Sequence, residues 1–119
     1  MARLARKSQQ VRLPLQKRRG LTYFSKEVKR QLKNDVLDIK LYGSYARGDA
    51  TPRSDIDVLV ILKKLSQKRE NAIYDTTVTT LQKYDTLISL MLMDEKTYLR
   101  EKSLPSLFVQ FIEQEGIPL

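Results

Sequence analysis

The chain has 119 residues, enough for one hydrophobic core but not for two of ordinary size. It contains neither Cys nor His. That excludes a thiol nucleophile, a Cys/His zinc site, a disulfide framework and an imidazole base, and leaves carboxylates, hydroxyls, cations and a hard metal ion as the available chemistry. The formal charge is +8, yet Arg3, Arg6, Lys7, Arg12, Lys17, Arg18 and Arg19 fall in the first twenty positions with no acid among them, so the remainder is nearly balanced. Residues 1–20 are therefore expected to be a basic N-terminal arm and residues 21–119 the domain. The arm has three readings: a solvated terminal segment, an Arg-rich transit-like peptide, or a contact for nucleic acid or an acidic partner surface. No apolar run approaches the ~20 residues of a membrane span, and a soluble, cytoplasmic protein is expected.

From Leu21 the apolar residues Leu21, Phe24, Val28 and Leu32 recur at helical spacing, with Thr22 as N-cap and an end near Asn34. Val36 to Tyr42 reads as a strand, broken by Gly43-Ser44-Tyr45-Ala46-Arg47-Gly48 and a turn-rich stretch from Asp49 to Ser54. Asp57 to Leu62 is a strand because Val58 to Leu62 is an unbroken run of apolar residues, most of them β-formers. Lys63 to Tyr84 reads as a helix with Leu65, Ala72, Ile73 and Leu81 toward the core, although its Thr-rich end is poor helix material. Leu87 to Met93 is a third strand and Glu95 to Lys102 a short helix. Leu104 to Glu115 is a longer helix, with Pro105 in its first turn, Gly116 as C-cap and a buried stripe of Leu107, Phe108, Phe111 and Ile112. The order predicts an α+β domain, a small mixed β-sheet flanked by helices.

The chemistry concentrates between Leu41 and Ile61. Asp55 and Asp57 stand one residue apart at the mouth of a strand, and a period of two places both carboxylates on one face while Ile56 points into the core. Two carboxylates that close repel each other unless a cation joins them, and Mg²⁺ is held by one or two carboxylates completed by phosphate oxygens. Gly43-Ser44 directly follows a strand, where backbone amides and a hydroxyl can approach terminal phosphates. Arg47 and Arg53 are further candidates for phosphate contact, with a salt bridge to Asp49 or Asp38, or a solvated loop, as the alternative for either.

These residues carry a family resemblance. Gly-Ser, ten residues (Tyr45 to Ser54), then Asp-x-Asp, within the run Tyr-Gly-Ser-Tyr-Ala-Arg-Gly, resembles the signature of the minimal branch of the polymerase β-type nucleotidyltransferase superfamily. The likeness extends more loosely from Leu21 to Leu119. It implies the fold of that superfamily and transfer of a nucleoside monophosphate from a nucleoside triphosphate, ATP by expectation, to a hydroxyl. Two Mg²⁺ ions would be held by Asp55 and Asp57, the catalytic pair, with Gly43 and Ser44 on the phosphates. One departure stands out: the family's third acid aligns with Ser89, so Asp85 or Asp94 would have to serve as third metal ligand through a bend or an altered register, the alternatives being a turn residue for Asp85 and a helix N-cap for Asp94. The resemblance further implies a helical HEPN-type partner and the role of antitoxin to an RNA-cleaving toxin. Two alternatives stand beside it, a catalytically weak nucleotide-binding antitoxin that acts by protein binding, and a small-molecule, aminoglycoside-like nucleotidyltransferase.

Overall fold

Val58, Leu59, Val60, Ile61 and Leu62 are all buried, on both faces of the strand they form. A run without polar alternation can only sit at the centre of a sheet covered on both sides, and this requirement organises the chain. The structure, a computed structural model, describes residues 13–119; Arg3, Arg6, Lys7 and Arg12 of the expected arm lie outside the described residues. The elements in order are α1 (Leu15–Leu32), a 3-10 turn (Lys33–Asp35), β1 (Val36–Tyr42), α2 (Ser44–Arg47), β2 (Ile56–Leu62), α3 (Gln67–Tyr84), β3 (Ile88–Asp94), α4 (Glu95–Ser103), α5 (Leu107–Glu115) and β4 (Ile117–Pro118). The sheet order is β3-β2-β1-β4. β2 pairs antiparallel with β1 and parallel with β3, and α3 supplies the crossover that a parallel pair needs. The expected α+β class with a small mixed sheet is what is found.

Alternation along β2 divides the core. Ile56, Val58, Val60 and Leu62 pack with Leu21, Phe24 and Val28 of α1 and Ile73 of α3. Leu59 and Ile61 face the other way, against Tyr98 of α4 and Val109 and Ile112 of α5. Asp57 belongs to this second face, at the end the two short helices leave open.

Several boundaries differ from expectation for physical reasons. α1 begins at Leu15 rather than beside Thr22, which is an exposed mid-helix residue. Apolar spacing reports only the buried face, so a first turn made of polar helix formers gives no signal. Gly20 in that stretch is buried against Thr86, so closely that a Cβ would overlap the Thr86 hydroxyl. α3 starts at Gln67 because the Ser66 side chain accepts a bond from the Arg69 N–H at 3.2 Å, an N-cap. Its buried stripe is Ile73, Thr76 and Thr80, whereas Leu65 and Leu81 are about 40% exposed. The Thr76 and Thr80 hydroxyls donate to the carbonyls of Ala72 and Thr76, at 2.8 and 2.7 Å, which satisfies them and leaves their methyl groups to pack. The Thr-rich end is thus the core face.

In α5, Leu107 and Phe111 are 68% and 52% exposed, and the buried residues are Val109 and Ile112 with Phe108 half-buried. The helix starts at Leu107, after a turn through Leu104 and Pro105, and packing of Val109 and Ile112 turns Leu107 and Phe111 outward while Ile112 and Phe108 of the expected stripe stay on the core side. Gly116 caps its C-terminus as expected, its N–H donating to the Ile112 carbonyl at 2.8 Å. After it, Ile117 and Pro118 add an edge strand beside Lys40 and Leu41, too short to show in the sequence pattern.

The assignment of the α3 stripe has a direct test. Ile73→Ala should cost about 2–5 kcal/mol in urea unfolding, while Leu81→Ala, on the exposed side, should change stability by less than ~1 kcal/mol.

Candidate active site

The last residue of β1, Tyr42, pairs with Asp57 of β2, so the turn after β1 arrives directly beside the Asp57 carboxylate. That turn starts with Gly43 at φ 76°, a left-handed value that disfavours any side chain. A Cβ there would also overlap Asp57 Oδ2. Two independent constraints therefore demand glycine, and together they let the backbone of the Gly-Ser turn and a carboxylate meet without intervening atoms. α2 then closes one helical turn, the Arg47 N–H donating to the Gly43 carbonyl at 3.0 Å, and Gly48 ends it at φ 88°.

The ten-residue spacer is ordered by local bonds. The Ser54 N–H donates to the Thr51 carbonyl at 2.9 Å, a turn with Pro52 second in place, and the Thr51 N–H donates to Ser54 Oγ at 2.8 Å. Asp55 follows, exposed and one residue before β2 starts. Lys17 of α1 reaches the same region and donates to Tyr45 Oη at 2.6 Å and to the carbonyls of Pro52 and Ser54, each at 3.3 Å.

On the opposite side, Asp57 pairs with Ser89 of β3. The position aligned with the family's third acid is therefore next to Asp57 in space, and a hydroxyl stands there. Asp85 is the left-handed residue that ends α3, at φ 50°. Asp94 sits at the far end of β3, paired with Leu62, where its Oδ1 accepts a bond from the Thr97 N–H at 2.7 Å and caps α4. It is five residue steps along β3 from Ser89, about 16 Å. Among the described residues no group of three acidic side chains comes together.

The electrostatics follow from this layout. Partial burial, then the nearby charge of Asp55, raise the Asp57 pKa, while the Ser89 hydroxyl and the charge of Arg47 act in the opposite direction. Tyr42 is also raised, by burial first and by Asp57 second. Arg47 is exposed and bonds to Asp49 at 3.3 Å and Glu115 at 3.4 Å; Arg53 is exposed on the spacer. The sequence pattern pointed to neither Tyr42 nor Lys17 as a part of the site. The register would have revealed Tyr42, but nothing in the sequence marks Lys17.

A carboxylate disfavoured in its charged form by a second carboxylate is one that a divalent cation would stabilise. Asp57 and Asp55, with the Ser89 hydroxyl alongside, are oxygen donors of the kind Mg²⁺ takes. Two protein carboxylates suit one such ion, and a second would depend on oxygens brought by a ligand.

A strand–Gly-Ser turn–spacer–Asp-x-Asp–strand unit on a mixed sheet is the construction of a nucleotidyl-transfer domain. The profile of the nucleotidyltransferase domain family matches residues 21–117. Among curated proteins, the chain is 32% identical over 95 residues to MJ0141 of Methanocaldococcus jannaschii, whose name assigns it to the protein adenylyltransferases, covering 79% of this chain and 89% of that one. It is 34% identical over 79 residues to MJ1305 of the same organism, named likewise, covering 64% of this chain but only 54% of the relative. Among solved structures, a toxin–antitoxin crystal structure with AMP-PNP superposes with a TM-score of 0.52 at 20% identity, over 80% of this chain and 68% of that one, a likeness of fold. The chain belongs to the nucleotidyltransferase domain family.

Two predictions follow from the contact of Gly43 with Asp57. Gly43→Ala should destabilise by more than about 1 kcal/mol, and Asp57→Ala should relieve part of that loss, with a coupling of about 0.5–3 kcal/mol in a double-mutant cycle. The raised pKa of Asp57 means that the folded state binds its proton more tightly than the unfolded chain, whose ordinary value is 3.8. Without metal, the contribution of Asp57 to stability should therefore fall as pH rises from 3.8 through the raised value. Asp57→Asn should remove that fall, so in chelator-treated protein the variant should gain on the wild type across this window and be more stable at neutral pH.

Proposed function

We propose that the domain binds a magnesium–nucleoside triphosphate, ATP by preference, and transfers its nucleoside monophosphate to a hydroxyl on a protein partner. The observation that carries this reading is the direct contact between the Gly43 turn and Asp57. Phosphate oxygens resting on the turn would lie next to an ion held by the carboxylate, so one triphosphate could engage both. Gly43 and Ser44 would hold the terminal phosphates through backbone amides and the hydroxyl. Asp55 and Asp57 would be the metal ligands, and two bound Mg²⁺ ions would neutralise the phosphate charge and lower the pKa of the attacking hydroxyl. Arg53 has an exposed side chain on the spacer and could approach the triphosphate, whereas Arg47 would first have to leave Asp49 or Glu115. A protein acceptor is supported by the names of both Methanocaldococcus relatives. The fold likeness to a toxin–antitoxin structure supports the antitoxin role, with an HEPN-type helical toxin as the partner that the sequence resemblance implies.

Ser89 favours a second reading. With a hydroxyl in the place of the third acid, less negative charge holds the second ion, and no carboxylate stands ready to take the acceptor proton. The domain would then bind nucleotide and partner well and transfer slowly. Small-molecule transfer has no observation in its favour.

Mg²⁺ with ATP should raise the melting temperature by mass action, and the paired change Asp55→Asn with Asp57→Asn should abolish most of the rise. An undiminished rise in the double variant would rule out the metal assignment. For catalysis, transfer of α-labelled ATP to a purified helical partner separates the readings. Loss of a general base costs about 10²–10⁴-fold, so slow wild-type labelling that Ser89→Asp accelerates marks the third position as the deficit. Fast wild-type labelling lost in Asp85→Asn or Asp94→Asn would place the third acid elsewhere.

A further inference from the structure

We propose that Lys17 is a positioning residue for Asp55, and that the first turn of α1 is thereby a working part of the site. The claim concerns the geometry of the carboxylate and rests on the nucleotide-binding reading above for its functional consequence. An ammonium group has three N–H donors, and Lys17 has three acceptors at hand: Tyr45 Oη at 2.6 Å, the Pro52 carbonyl at 3.3 Å and the Ser54 carbonyl at 3.3 Å. The last of these belongs to the peptide unit whose N–H is that of Asp55, so the bond fixes the plane from which Asp55 departs. Tyr45 follows Ser44 directly, and its ring is buried at 4% exposure. One side chain therefore ties the turn that follows β1 to the peptide that precedes the exposed carboxylate.

The support is itself anchored. Gly20, one turn along α1, is closed against Thr86, whose hydroxyl lies within donating distance of both the Tyr84 carbonyl, at 3.0 Å, and the Gln16 carbonyl, at 3.3 Å. Thr86 lies just ahead of β3, and the adjoining Leu87 carbonyl accepts from the Ile56 N–H at 3.3 Å. The first turn of α1 thus touches the segments that lead into Asp55 and into Ser89. Asp55 has no strand bonds of its own and is exposed, and Lys17 is the side chain that bonds to the peptide directly before it; the Tyr45 hydroxyl holds the spacer further back, at the Thr51 carbonyl 3.4 Å away. A metal site tolerates displacement of only about 0.5 Å.

The test uses Lys17→Met, which keeps the aliphatic stem and removes the donors, beside Lys17→Arg and Tyr45→Phe. Mg·ATP affinity by calorimetry should fall about 10- to 100-fold in Lys17→Met, the range for partners that orient metal ligands. Lys17→Arg should recover part of the loss, and Tyr45→Phe, which keeps the buried ring, should show a smaller loss in the same direction. The ligand-free melting temperature should move by less than about 8 °C. Amide exchange in the ligand-free protein should accelerate at residues 54–56 in Lys17→Met and stay unchanged in the centres of β1 and β2. Unchanged exchange at 54–56 overturns the proposal, as does unchanged Mg·ATP affinity in a protein whose binding is abolished by Asp55→Asn. If the wild type binds no Mg·ATP, the functional reading fails separately, and the exchange data alone decide whether Lys17 holds Asp55. If Lys17→Met unfolds, exchange and affinity in Lys17→Gln decide it, because Tyr45→Phe also removes the bond from Tyr45 Oη to the Thr51 carbonyl.

Discussion

The contact between Gly43 and Asp57 is the constraint on which the site depends. It requires β1 and β2 to be antiparallel neighbours in a register that sets Tyr42 opposite Asp57, because a shift of one residue would turn the carboxylate to the other face. It requires the chain to leave β1 at positive φ, which only glycine does without strain. It also requires β2 to be held firmly, and its fully buried apolar run between two covered faces does this. The fold therefore delivers a carboxylate on a buried strand to a backbone turn, with the spacer between them ordered by its own local bonds.

The same closeness works against the ligand-free protein. Asp57 is partly buried and feels Asp55, and both effects oppose its ionisation. Other ionised groups outside the site sit where charge is favoured. Asp94 is lowered by its bonds to Thr97, and Glu113 is lowered first by Lys102. Among the carboxylates of the described residues with shifted pKa values, Asp57 alone is raised, in the region where a cation is expected.

Long periodic elements were readable from sequence, and details set by tertiary contact were not. The central strand announced itself through Val58 to Leu62, and Gly43-Ser44 with Asp55 and Asp57 announced the site through spacing. Thr76 and Thr80 misled because helix propensity speaks for an isolated helix, whereas here back-bonded hydroxyls make threonine an acceptable buried surface. Leu107 and Phe111 misled because their spacing fits a buried stripe equally well whichever way the helix is rotated, and that rotation is set by Val109 and Ile112 meeting Leu59 and Ile61. β4 has two residues and exists only because β1 offers an edge. Lys17 read as one charge among seven in a basic segment, and its contacts span nearly thirty residues or more of sequence.

The placement of Ser89 bears on how a domain of this kind could work. It pairs with Asp57 across β2 and β3, so a hydroxyl stands beside that carboxylate. Among the described residues no third acid joins Asp55 and Asp57 as a metal-binding group; the Asp94 carboxylate caps α4, and Asp85 ends α3 through its backbone N–H. On the proposed reading, the negative charge missing from the protein must be made up by the triphosphate itself, whose oxygens would complete the coordination. Metal and nucleotide binding would then be strongly interdependent, each weak alone. Leu87 and Met91 are exposed on either side of Ser89 in sequence, and Met91, two residues along β3, shares its face. An acceptor approaching the open carboxylate end would therefore meet apolar side chains flanking a hydroxyl. On the proposed reading, apolar side chains beside the hydroxyl would give a protein acceptor a surface on which to pack.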